Sequence, residues 1–193
     1  MCWSQQIIPD EWTTAIVSST FKKGDRKNCN NYRGISIQSA GYKLYSKILC
    51  FRLRNILEAI LQEEQSGFRP GRSCTDDVFF LKELINRRRE FNLETHLAFV
   101  DYTKAFDKVN RDILWLILRK RGIPNHLINA IQSLYINTKI ILNLGNSLSK
   151  QIIHVNQGVR QGCSLSPALF NIYLDEILQE WKNEISQGIC LGQ

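Results

Sequence analysis

Asp101 closes an apolar run, His96-Leu97-Ala98-Phe99-Val100, and an aromatic residue, Phe106, follows five positions later. A carboxylate at the end of a buried strand suits Mg²⁺ binding for nucleotidyl transfer, because two-metal chemistry takes acidic ligands held on rigid elements. Buried there, the charge needs a cation or hydrogen bonds to offset its desolvation, and the Tyr102 carbonyl offers a metal a second oxygen. By itself, Asp101 reads first as a strand-terminal residue capping the next turn. A strand-to-helix turn would bring the Phe106 ring back beside the carboxylate, where it could pack under a sugar; alone, it also fits an ordinary core aromatic. Asp107 is read as the acidic start of the following helix, stabilised by the helix dipole, and is not counted as a metal ligand.

A second stretch lies some fifty residues on: Gly158-Val159-Arg160-Gln161-Gly162-Cys163-Ser164-Leu165-Ser166-Pro167-Ala168-Leu169-Phe170-Asn171. Gly162 lets a base pair or sugar approach the backbone, and the Gln161 amide can hydrogen-bond a nucleotide or a template. The same residues also describe a plain strand-loop-helix connection, with Ser166 as cap and Pro167 in the first helical position.

These residues must be held by regular elements, and the pattern supplies them. Ala15 to Lys23 and Tyr32 to Gln38 are β-prone runs around Gly24-Asp25, predicting a hairpin with a basic loop. From Lys43 to Leu61, Leu44, Ile48, Phe51, Ile56, Leu57 and Ile60 recur at helical spacing, and Lys43, Lys47, Arg52 and Arg54 give a basic face. Ser66 to Ser73 breaks that helix, and Thr75-Asp76-Asp77 then supplies the cap and acidic first turn of a helix through about Arg89. His96 to Tyr102 is predicted as a short strand buried on both faces. Asn110 to Arg121 is predicted as a helix ended by Gly122, and Pro124 starts another through Tyr135. Thr138 to Leu144 and Gln151 to Asn156 form a strand pair turning at Gly145-Asn146. Pro167 opens a long helix through about Ile185, and Gly188-Ile189 begins a further element.

Composition narrows the function classes. The sequence of 193 residues is 44% hydrophobic and 22% charged, which suits a folded chain of one or two lobes. Lys and Arg outnumber Asp and Glu by 25 to 18, and the resulting charge of +7 suits a polyanionic partner or simply a soluble basic surface. Six cysteines, at 2, 29, 50, 74, 163 and 190, form no Cys-x-x-Cys pair, and the three histidines, His96, His126 and His154, are scattered. A zinc site and a Ser/His/Asp triad therefore have no starting point, and reduced intracellular thiols are expected. No apolar run approaches the roughly 20 residues of a membrane span, and the start lacks a signal-peptide pattern.

Asp101-Tyr102-Thr103-Lys104-Ala105-Phe106-Asp107-Lys108-Val109, followed by the 158–171 stretch, resembles the reverse transcriptase of non-LTR (LINE-type) retrotransposons. Ile8-Pro9 with Trp12, Lys22-Lys23-Gly24-Asp25, Asn31-Tyr32-Arg33-Gly34-Ile35-Ser36 and Gln65-Ser66-Gly67-Phe68-Arg69-Pro70-Gly71-Arg72-Ser73 resemble the same family's fingers motifs, in its order. The resemblance implies an α+β chain with the right-hand polymerase fold, fingers plus partial palm and no thumb. Residues 1–92 would be fingers, 93–122 palm, 123–156 an insertion with a β-hairpin, and 157–193 palm. It implies RNA-directed DNA synthesis from deoxynucleoside triphosphates on an RNA template with a DNA primer. By that resemblance Asp101 and the Tyr102 carbonyl bind one of two Mg²⁺ ions, Phe106 excludes ribonucleotides, and Gln161 and Gly162 lie beside the incoming nucleotide. Lys22 and Arg33 would reach its triphosphate; without the family pattern they read as a solvated basic hairpin. Arg69, Gly71 and Arg72 would touch the template, and the location would be nuclear or cytoplasmic.

The family's Tyr-x-Asp-Asp tetrad does not occur in these 193 residues; the Asp76-Asp77 pair reads as a helix's acidic first turn. The expectation is therefore a truncated polymerase unit, inactive alone and poorly soluble, because an apolar edge beside Asp101 is left open. The competing readings are a non-catalytic module holding RNA or an RNA–DNA duplex, and a decayed element or truncated gene model without function.

Overall fold

The computed structural model describes residues 2–145 and 147–184. The expected hairpin forms: β1 (Thr14–Phe21) pairs antiparallel with β2 (Tyr32–Ile37), Val17 opposite Ser36 and Phe21 opposite Tyr32. Gly24, at φ +91°, supplies the left-handed residue in its connection. The second pair also forms, β3 (Lys139–Asn143) antiparallel to β4 (Leu148–His154). What the local pattern did not reveal is that β3 lies parallel to β1, Ala15 opposite Ile140, so the two hairpins join in one sheet of order β2-β1-β3-β4.

Six α-helices accompany this sheet among the described residues: α1 (Cys2–Gln5), α2 (Ala40–Ile60), α3 (Cys74–Glu90), α4 (Arg111–Lys120), α5 (Asn125–Ser133) and α6 (Ser166–Glu184). The chain is thus a mixed α+β structure. Its core lies where α2, α4, α5 and α6 meet, filled by Tyr42, Leu49, Leu53, Leu114, Leu118, Ile128, Ile131, Leu169 and Ile172. α4 is braced to α6 by ions: Arg121 donates to Asp175 (2.9 Å) and Glu176 (2.7 Å), and Lys120 also reaches Glu176. Asp175, 1% exposed, additionally accepts the Gln62 N–H at 3.0 Å, which pins the end of α2 to the same carboxylate. Glu176 loses solvation by burial, but its hydrogen bonds to Lys120 and Arg121 outweigh that and hold its carboxyl below the usual range.

Several expectations need correction. α2 spans the expected residues but buries a different face: Leu44, Ile48 and Phe51 are exposed, whereas Tyr42, Tyr45, Ser46, Leu49, Cys50, Leu53 and Leu57 are buried. The helix carries two apolar stripes, and the wider one, relieved by small Ser46 and Cys50, faces the core; Cys50 Sγ lies 3.1 Å from the Ser164 carbonyl. α3 starts earlier than expected because Ser73, not Thr75, caps it, accepting the Thr75 N–H at 3.1 Å. Asn110 caps α4, accepting from Asp112 and Ile113, so Asp107 is not at that helix start. Ser166 is the first residue of α6, its hydroxyl 3.5 Å from the Tyr135 hydroxyl. Gly188-Ile189 lies outside the described residues.

The predicted strand from His96 to Tyr102 is not one. Residues 93–102 are irregular, and Phe99 is 84% and Val100 75% exposed. A strand exists through its ladder partner, and the four-stranded sheet seen among the described residues does not include this segment.

Candidate active site

The two motifs meet through their backbones. Phe106–Lys108 forms a 3₁₀ turn, and the 158–162 loop packs directly on it. Gly158 N–H donates to the Val109 carbonyl and Val159 N–H to the Phe106 carbonyl, both at 2.8 Å. Gly158 has φ +81°, and a Cβ placed on it would lie 2.8 Å from Asp107 O and 2.9 Å from Phe106 O. Only glycine meets both demands, the left-handed backbone and the close approach.

Arg111 holds the other side of this loop. It is 9% exposed, and its guanidinium donates to the carbonyls of Gly158 (2.9 Å), Val155 (2.8 Å), Gln157 (3.3 Å) and Tyr135 (3.4 Å), with its charge over the Tyr135 ring. Burial pulls its pKa down, and the carbonyl dipoles and ring face compensate the cation in place of a carboxylate. Arg160 works likewise, donating to the carbonyls of Trp12 (3.1 Å) and Thr13 (3.0 Å) beneath the start of β1, over the Tyr42 ring. At the far end of the loop, the Gln161 carbonyl accepts Ser36 N–H at 3.0 Å from the edge of β2. Gly162, at φ +95°, sits where a Cβ would be 3.1 Å from Ser36 O. A cavity of about 430 Å³ remains between this loop and the sheet face of Ala15, Val17, Gly34 and Ser36, with Asp107 and Gln161 also in its wall.

The sequence-derived site residues divide accordingly. Phe106, Gln161 and Gly162 are brought together with Asp107, whose carboxylate accepts the Gln161 Nε2–H at 2.9 Å. The Phe106 ring stacks on Phe170 of α6 (centroids 5.0 Å apart, 17° between planes) and meets Phe68 edge-on at 6.4 Å. Lys22 and Arg33 are exposed on the hairpin. Arg33 is opposite Thr20, and the Lys22 N–H continues the ladder to the Asn31 carbonyl, so both share the face turned away from Gly34, Ser36 and the cavity. Asp101 is exposed, while Tyr102 borders a smaller cavity of about 150 Å³ against Phe170, Tyr173 and Ile177. No cluster of three His, Cys, Asp or Glu side chains able to share a metal ion occurs among the described residues.

Arg69, expected along the template, is turned inward. It is 6% exposed, forms an ion pair with Glu58 at 3.0 Å and donates to the carbonyls of Gln62 and Gln65, so its guanidinium serves the loop's own structure. Arg72 is on the outside of the same loop, paired with Glu63, and Gly71, at φ +68°, has open space around it. Sequence reasoning missed Arg111, Arg160 and the Asp107 partnership. One signal was available: Arg111 occupies the first turn of a helix, where the dipole disfavours a cation, and such a local conflict marks a tertiary role.

This chain belongs to the family described as reverse transcriptase (RNA-dependent DNA polymerase), whose profile matches residues 21–192. It is 30% identical, over 96% of its length, to a Pol polyprotein of the type-1 retrotransposable element R2 of Popillia japonica. It is 29% identical over 89% of its length to the transposon TX1 149 kDa protein of Xenopus laevis, and 27% over 89% to the probable RNA-directed DNA polymerase of transposon BS of Drosophila melanogaster. The matched region spans 26%, 13% and 19% of those relatives.

Proposed function

We propose that this chain is the fingers and first palm portion of a non-LTR retrotransposon polymerase that copies RNA into DNA from deoxynucleoside triphosphates. In this reading 1–92 are fingers, 93–122 and 157–193 palm, and 123–156 the insertion carrying β3 and β4. Phe106, Gln161 and Gly162 border the incoming nucleotide, Lys22 and Arg33 reach its triphosphate from the hairpin, and Gly71 and Arg72 lie along the template. The observation that supports this reading is the pair of 2.8 Å backbone bonds, Gly158 N–H to the Val109 carbonyl and Val159 N–H to the Phe106 carbonyl, which put two motifs fifty residues apart in contact.

The Asp101 carboxylate and the Tyr102 carbonyl are oxygen donors of the type Mg²⁺ takes, with water and substrate phosphates completing its shell, but a single aspartate does not assemble a two-metal site. The Asp107 carboxylate is held by Gln161 and is not counted as a second. We therefore propose that these 193 residues hold template-primer without extending it.

The test is fluorescence anisotropy of a labelled RNA–DNA template-primer titrated with the chain at several salt concentrations. Affinity should fall steeply with salt, Arg72→Ala should flatten the slope by roughly one unit per lost phosphate contact, and in a parallel titration with a labelled deoxynucleoside triphosphate Lys22→Ala with Arg33→Ala should weaken binding. Nucleotide binding unchanged in the double variant would remove the hairpin from the assignment.

A further inference from the structure

We propose that Asp107 is a positioning residue for Gln161, and that the pair presents the glutamine's amide oxygen to a hydrogen-bond donor of the nucleotide. The inference rests on Gln161 lying beside the incoming nucleotide, as proposed above. A carboxylate offers only acceptors, so the 2.9 Å contact to Asp107 fixes the amide with its nitrogen toward Asp107 and its oxygen away.

Both ends of that bond are anchored, although it lies at the surface. Asp107 N–H donates to the Lys104 carbonyl at 3.0 Å, and its backbone is held against Gly158. The Gln161 backbone is tied to β2 through the Ser36 N–H. The two side chains therefore project from fixed backbone points, and forming the contact orders only their own rotamers.

The chemistry of the ligand follows. An amide oxygen accepts, so its partner is a sugar hydroxyl or a base amine. A phosphate oxygen would set acceptor against acceptor, beside the negative charge of Asp107. Lys22 and Arg33 lie on the hairpin face turned away from the cavity, so for them to take the phosphates the nucleotide must pass the outer edge of β2, where Gln161 is tied.

Two measurements test this. In the 193-residue chain, the Gln161 side-chain NH₂ is identified by NMR from the signal pair lost in Gln161→Glu. Asp107→Asn should move that pair and Asp112→Asn should not; a pair unmoved by Asp107→Asn overturns the proposal. In a polypeptide extended past Gln193, single-nucleotide incorporation is followed in Asp107→Ala, Gln161→Ala and the double variant. Each single change should raise KM for the nucleotide about fivefold with kcat within about twofold, and the double variant should be no worse than Gln161→Ala. Effects that multiply would show that Asp107 acts independently of Gln161 and overturn the proposal. An extended polypeptide with no activity would refute the polymerase reading, while the amide signal would still decide the pairing.

Discussion

Replacing Gly158 with alanine tests the junction on which the site depends. The residue sits at φ +81°, and a left-handed conformation costs a residue with a Cβ about 1–2 kcal/mol. The added methyl would lie 2.8 Å from Asp107 O, where ordinary contact begins at 3.4 Å, so the backbones must separate by about 0.6 Å. The bonds from Gly158 N–H and Val159 N–H, each 2.8 Å, then stretch to the edge of useful geometry. Losing most of two such bonds adds about 1–2 kcal/mol, for a total of about 2–4 kcal/mol. In thermal unfolding at fixed scan rate, that is a Tm drop of roughly 5–12 °C for a domain of this size. Gly71→Ala is the internal control: its φ is +68° but nothing lies within 4 Å, so only the conformational term applies and the drop should be roughly 3–6 °C. Equal losses in the two variants would mean that the 158–162 loop does not press on the Phe106–Lys108 turn, and the site as described would be wrong.

Three further outcomes follow from the same contacts. Arg111→Met keeps the side-chain bulk but strips donors from four carbonyls and should cost about 2–4 kcal/mol by denaturant unfolding, with Arg111→Lys recovering only part; equal stability of Met and wild type would contradict the cradle. Glu176 has its carboxyl lowered in the folded state, so its stabilisation is present above the unfolded pKa of about 4.3 and lost as pH falls through the lower folded value. Glu176→Gln should therefore be less stable than wild type at pH 7, with the gap closing in acid; a gap constant down to pH 2 would contradict this. Finally, Leu97, Phe99 and Val100 are open to solvent, so the 193-residue chain should self-associate, and changing Phe99 and Val100 to Ser should reduce that in sedimentation velocity. A monodisperse wild type at high concentration would refute it.

The hairpins and most helix limits were legible because their signals are local: Gly24-Asp25 between alternating runs, Gly122 after α4, Pro124 and Pro167 at helix starts. Facing was not always legible. α2 has apolar residues on two sides, and periodicity cannot say which one meets α4, α5 and α6. The parallel pairing of β1 with β3 joins residues more than a hundred positions apart, and no local pattern encodes it. The segment before Asp101 has a strand's composition but no ladder partner among the described residues, so composition alone misassigned it. Within the site, the stretches carrying Phe106, Gln161 and Gly162 were legible as motifs, whereas the contacts of Arg111 with carbonyls and of Asp107 with an amide depend on the folded loop.

The most direct test is primer extension on an RNA template with deoxynucleotides and Mg²⁺. It would compare the 193-residue chain, a polypeptide extended past Gln193 through a Tyr-x-Asp-Asp segment, and that longer polypeptide carrying Asp101→Ala. Extension by the longer polypeptide alone, abolished by Asp101→Ala, is the predicted result. Extension by the 193-residue chain, or by the Asp101→Ala variant, would contradict it.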